Sequence, residues 1–121
     1  AELFAEDAVF RYPFAAPGMP DELVGKEAIR TWFDAAAGSR DMFEMDGVDL
    51  LVRETDDPEV IVIETEHHGR SRATGGPYRF RALGVIRVRA GMIVSYDDYM
   101  NPIAMAILLG RTPDLVAALA G

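Results

Sequence analysis

The chain has 121 residues, half of them apolar, with 20 Asp and Glu against 12 Lys and Arg for a formal charge of -8, and no cysteine. One domain spanning 1–121 with a substantial core suits that length, and the acidity speaks against a nucleic-acid or anionic-membrane surface, which needs basic patches. Missing thiols exclude disulfides, thiolate catalysis and cysteine-bound zinc, fit a cytoplasmic location, and accompany apolar runs too short to span a membrane.

"AELFA" (1–5) is expected to be the tail of a helix, with further residues upstream of Ala1. "AVFRYPF" (8–14) alternates aromatic and β-branched residues as a strand does, and "AAPGMPDEL" is a loop by its prolines and glycine. "KEAIRTWFDAAAG" places Ile29, Trp32, Phe33 and Ala36 on one helical stripe, which Gly38 is expected to end. Four strands are expected next: "DMFEMDGVDLLVRE", "VIVIETEHHG", "YRFRALGVIRVRA" and "MIVSYDDYM". Asn101-Pro102 then reads as an N-cap and first helical residue, and Thr112-Pro113 repeats the signal for a last helix. The order of elements is that of an α+β fold.

The doublet Asp97-Asp98 sits in the last strand, where neighbouring side chains point to opposite faces. Arg79, Arg81, Arg87 and Arg89 share one face of the preceding strand, so that face is outward and Phe80, Ala82, Gly84, Ile86 and Val88 point in. A two-residue turn at Ala90-Gly91 would send Asp97 inward, but it needs positive φ at Ala90. A three-residue loop with a Gly91 bulge avoids that demand. It pairs Ala82 with Asp98 and Gly84 with Tyr96, and it turns Met92, Val94, Tyr96, Asp98 and Met100 inward. An inward carboxylate either accepts hydrogen bonds from a loop or helix end, or is a general acid or base whose pKa burial has raised.

Three stretches together resemble a known family: "LFAEDAVFRYP", "VGKEAIRTWF" and "GGPYRFRALGVIRVRAGMIVSYDDYMNP". They are similar to the nuclear-transport-factor-2-like superfamily, in its SnoaL-like polyketide cyclase and ketosteroid isomerase-like branch. The resemblance covers almost the whole chain. It implies a cone, a curved mixed sheet wrapped around helices, enclosing one apolar pocket. It also implies a homodimer formed through the sheet, and an N-terminal helix of which little remains here. Relatives of this kind include isomerases, cyclases, dehydratases, epoxide hydrolases and non-catalytic binding domains. The resemblance carries a catalytic acid or base onto Asp98. The rest of the epoxide hydrolase site does not carry over: Phe10 and Tyr12 stand where those enzymes hold a water, and Thr65 and His67 where they place an orienting pair.

Two residues are candidates to assist Asp98. Tyr12 could donate to a developing enolate or alkoxide, or simply bond a backbone carbonyl. His67 or Glu64 could face the hollow from its strand, and pairing of Glu64 and Glu66 with outward arginines favours His67. The adjacent His67 and His68 point apart, which argues against zinc. Phe10, Phe14, Trp32, Phe33, Phe80, Tyr96 and Met100 are expected to line an apolar ligand's site. The expected function is cofactor-independent acid/base chemistry on a mostly apolar small molecule. The alternative is a ligand-binding or assembly module of the same fold.

Overall fold

The computed structural model describes residues 3–121. β3 (Phe43–Glu54), β4 (Val60–Ser71), β5 (Pro77–Arg89) and β6 (Met92–Met100) run antiparallel in succession. β1 (Phe4–Arg11) lies parallel to β6, and the short β2 (Glu22–Val24) pairs with β1. The result is one six-stranded sheet in the order β2-β1-β6-β5-β4-β3. It is mixed, curved and unclosed, in an α+β fold.

Three helices complete the fold: α1 (Lys26–Ala36), α2 (Pro102–Leu109) and α3 (Thr112–Ala120). The core shows which face of the sheet they cover. Ile29 of α1 and Leu108 of α2 pack in one cluster with Phe4, Ala8, Phe10, Phe80 and Met100. Ile29 is completely buried. The Asn101 side-chain Oδ1 accepts from the backbone N–H groups of Ile103 and Ala104, at 2.9 and 3.2 Å, and Gly110 closes α2 in the left-handed region. Both are the cap signals present in the sequence.

Several local expectations need correction. The helical tail expected at 1–5 falls partly outside the described residues, and from Phe4 onward the chain is already strand β1. The loop after Phe14 contains β2. Gly38 does not stop the chain's helical course: α1 ends at Ala36 and a 3₁₀ segment, Ala37–Met42, carries on through it.

The β5–β6 hairpin adopts the turn that steric reasoning disfavoured. Arg89 pairs with Met92, and Ala90 and Gly91 both take positive φ, 53° and 79°. A bulge then intervenes: Val88 opposes Ile93 and Arg87 opposes Ser95, leaving Val94 as the extra residue. That residue reverses the parity the turn had set. Asp98 therefore pairs with Gly84 and Met100 with Ala82, not Ala82 and Phe80. Met92 takes the outer face beside Arg89, and Ile93 packs on the core in its place.

Candidate functional site

Asp98 lies on the concave face through the sum of turn and bulge, sharing that face with Gly84 of β5. Its neighbour Asp97 lies on the convex face, where Arg11 reaches it at 3.2 Å. The parallel register Phe10↔Tyr96 and Arg11↔Asp97 brings Tyr12 alongside Asp98 as the chain leaves β1. Phe10 stacks on Tyr96 with ring centroids 4.7 Å apart. Phe33 meets Phe10 edge-on, and the Trp32 indole N–H donates to the Tyr12 hydroxyl at 3.0 Å. Gly84 makes the arrangement possible, because a Cβ there would sit 3.0 Å from the Tyr96 hydroxyl and from Ile63.

The electrostatics follow from that enclosure. Burial pushes the Asp98 carboxyl up to about 6. Burial, and then the nearby Asp98 charge, push the Tyr96 phenol up to about 12. Tyr12 is also raised by burial and by Asp98, against the opposing hydrogen bond from Trp32. Because Tyr12 accepts from Trp32, its own proton is left free to be donated elsewhere. Among the described residues, Asp98 takes part in no side-chain hydrogen bond or ion pair.

His67 belongs to a second cluster. It faces the concave side opposite Phe80, with their ring centroids 5.1 Å apart, and its Nδ1 lies 3.1 Å from the Tyr78 hydroxyl. Phe43 stacks against it at 5.9 Å. Burial, and then the charge of His68, hold the imidazole below its ordinary pKa, so it is neutral at pH 7. Its partner Phe80 is four residues from Gly84 along β5, about 13 Å at strand rise. His67 and Asp98 thus mark separate ends of the concave face.

The lining residues divide in the same way. Tyr12, Phe10, Tyr96, Trp32 and Phe33 gather near Asp98, and Phe80 lies beside His67, while Met100 is buried in the core. Phe14 is a correction. It is 63% exposed and packs on Tyr99, a convex-face residue. Alternation beyond Arg11 fails because β1 ends there and the chain turns at Pro13. Glu64 is also excluded from the hollow: it lies on the convex face and pairs with Arg53. Tyr78, the partner of His67, and Phe43 were missed by sequence reasoning. Parity with Phe80 could have found Tyr78; nothing local to Phe43 marks it.

The hollow is open along one side. On β3, Val48, Leu50 and Val52 continue the concave rows of His67, Thr65 and Ile63, yet each is more than half exposed. On the convex face, a trough of about 480 Å³ runs past Leu51, Glu64, Glu66, Arg81, Leu83 and Tyr99, away from Asp98. Among the described residues, no cluster of three His, Asp or Glu side chains is arranged to hold a metal, and no helix is long and apolar enough to cross a membrane.

A curved open sheet, helices on its hollow side and an inward acid at the end of the last strand define a small α+β domain with a concave inner face. The chain belongs to the SnoaL-like domain family, which matches residues 1–96, within the nuclear-transport-factor-2-like superfamily. It is 33% identical over 110 residues to the uncharacterised protein YesE of Bacillus subtilis, a match covering 90% of this chain and 73% of that one. An uncharacterised PhzA/B-like protein of Pseudomonas aeruginosa is 28% identical over 109 residues, covering 90% of this chain and 75% of that protein. The crystal structure of a presumed isomerase from Bacillus subtilis superposes with a TM-score of 0.75 at 32% identity, over 92% of this chain and 78% of that one.

Proposed function

We propose that the protein binds a mostly apolar small molecule on its concave face and performs cofactor-independent acid/base chemistry there. Asp98 is the group that moves the proton. Tyr12 is the hydrogen-bond donor to an oxygen on which charge develops. His67, about 13 Å along the sheet, contacts a remote part of the ligand and does not share the proton. The reactions this suits are a proton shift, a cyclisation, a dehydration or an addition of water. One observation carries the reading: an inward carboxyl, raised to about 6 by burial, stands beside a phenol whose own proton is uncommitted. A carboxyl raised to about 6 is mostly ionised at neutral pH yet a stronger base than an ordinary aspartate, and its conjugate acid is still populated, so it can serve in either direction. Similarity to a presumed isomerase supports the same class of chemistry.

Deuterium exchange at the activated α-carbon of 2-tetralone, followed by NMR, tests the proposal. This aromatic ketone is apolar and enolisable. The intact protein is expected to accelerate exchange at least about 100-fold over Asp98→Asn, the lower range of general-base effects. Equal rates for the two proteins would remove Asp98 as a base.

A second reading, a binding module without chemistry, draws on one feature of the site. Among the described residues, no side chain hydrogen-bonds Asp98 to orient it, as a catalytic base ordinarily requires. In either reading the protein is a cytoplasmic homodimer, paired through the convex face, where Leu51 and Phe14 are 48% and 63% exposed beside Tyr99.

A further inference from the structure

Six arginines of this chain lie on the convex side of the sheet. Arg79, Arg81, Arg87 and Arg89 line the convex face of β5, where Glu66, Asp57 and Glu59 partner them. Arg11 pairs with Glu22 and Asp97, and Arg53 with Glu64, also on the convex side. Arg30 is engaged by Glu27 on its own helix. Asp98 faces the concave side, and among the described residues it has no ion pair and no cation that shifts it. The titratable groups that face it are Tyr96 of β6 and Tyr12 beyond β1. β5 contributes Gly84 and Ala82 to that face, β4 contributes Ile63, and α1 brings Trp32 and Phe33, none of which titrates.

The aromatic rings are not one flat stack. Phe10 and Tyr12 are tilted by 58° at 5.0 Å, Tyr12 and Trp32 by 64° at 6.3 Å, and Phe10 and Phe33 by 85°. They form the walls of a corner and present π-faces in different directions. A π-face attracts cations, and a carboxylate in a partly desolvated corner lacks its counter-charge. Both features ask for the same thing from a ligand.

We infer that the ligand seated at Asp98 carries a positively charged nitrogen, a protonated amine or alkylammonium attached to an apolar body, and supplies the cation that the fold leaves out. The inference deepens the proposed function by naming the ligand's charge, and rests on it only in taking the concave face as the ligand's seat. It does not require Asp98 to be a base. Tyr96 and Tyr12 flank the carboxylate, and their ring faces and hydroxyl oxygens both favour a cation. A carboxylic or phosphate ligand is disfavoured, because it would place like charge beside Asp98 with no cation to compensate.

The test compares phenethylamine with phenethyl alcohol, which matches it in shape but is neutral at pH 7.5. Binding is measured by calorimetry and by quenching of Trp32, the chain's single tryptophan. The amine is expected to bind about tenfold or more tightly. The preference should vanish in Asp98→Asn. In the unaltered protein it should also shrink as pH falls below about 6, where Asp98 takes up its proton. The pH series keeps the test independent of whether the variant folds. Equal affinity for both probes, tighter binding of the alcohol, or binding of neither overturns the inference. The ketone exchange measurement stands apart: exchange without amine preference sinks the cationic ligand alone, and amine preference without exchange sinks the base alone.

Discussion

Asp98 is held in a protonation state that costs the fold stability, and the sign of that cost can be worked out. In the folded chain it keeps its proton to about pH 6, whereas an ordinary aspartate releases it near 3.8. Between those values the unfolded state binds fewer protons than the folded state, so stability falls as pH rises. Above about 6 the whole penalty is present; below about 4 it is gone. The carboxyl retains some access to water, so the penalty is discounted to about 1–2 kcal/mol. Asp98→Asn is therefore expected to raise stability by about that amount at pH 8 and to lose the advantage by pH 4. Calorimetric melting of both proteins across that range is the check. A constant difference would mean that the carboxylate is fully solvated. Glu59 is the contrasting acid. Hydrogen bonds from Arg89 and Arg87 hold it down at about 2, but the pairs are open to solvent, so salt screens them and they carry little stability.

At the level of elements, the β5–β6 hairpin contains the clearest local conflict. Ala90 sits at φ 53°, a region its Cβ resists. Ala90→Asn or Ala90→Gly should relieve that strain and stabilise by about 0.5–1 kcal/mol, read as a higher denaturant midpoint with unchanged slope. If both substitutions are neutral or destabilising, the left-handed conformation at Ala90 is wrong. The same hairpin shows how much the sequence disclosed. The four arginines of β5 revealed the outward face, and that reading needed only alternation and charge. The acid at 98 was placed on the correct face through an incorrect turn. A loop with one extra residue and a tight turn followed by a bulge have the same effect on parity, and no composition rule separates them. The partner residues differ by two positions, so Gly84, not Ala82, lies opposite the acid. Asn101-Pro102 and Gly110 were legible because caps are chosen by local chemistry. Phe14 was not, because the end of β1 is set by how the chain turns toward β2. His67 was assigned to the correct face by elimination, but its remoteness from Asp98 is a property of strand order and register that a linear pattern does not contain.

For the whole molecule, the sheet has two apolar surfaces with different expected fates. The convex face has Leu51, Leu83, Tyr99 and Phe14 among charged neighbours, a mixture suited to a partly polar interface. In solution the protein is expected to have twice its 13.3 kDa chain mass, and Leu51→Arg should shift it to monomer at micromolar concentration, measured by light scattering. An unaltered mass for the variant, or a monomeric parent protein, would rule out pairing through this face. The concave face holds the Asp98 corner at one end and the His67 cluster at the other, with β3 leaving its side open. Sidedness, more than any single contact, organises this domain: six arginines on the convex side, the aromatic rings and Asp98 on the other. That division depends on Val94. Were the ladder to close regularly with Val94 kept opposite Arg87, everything beyond it in β6 would change sides, exporting Asp98 to solvent and importing Asp97. The identity of the acid that faces inward is thus set by one irregular backbone step, with no amino-acid replacement on that face at all.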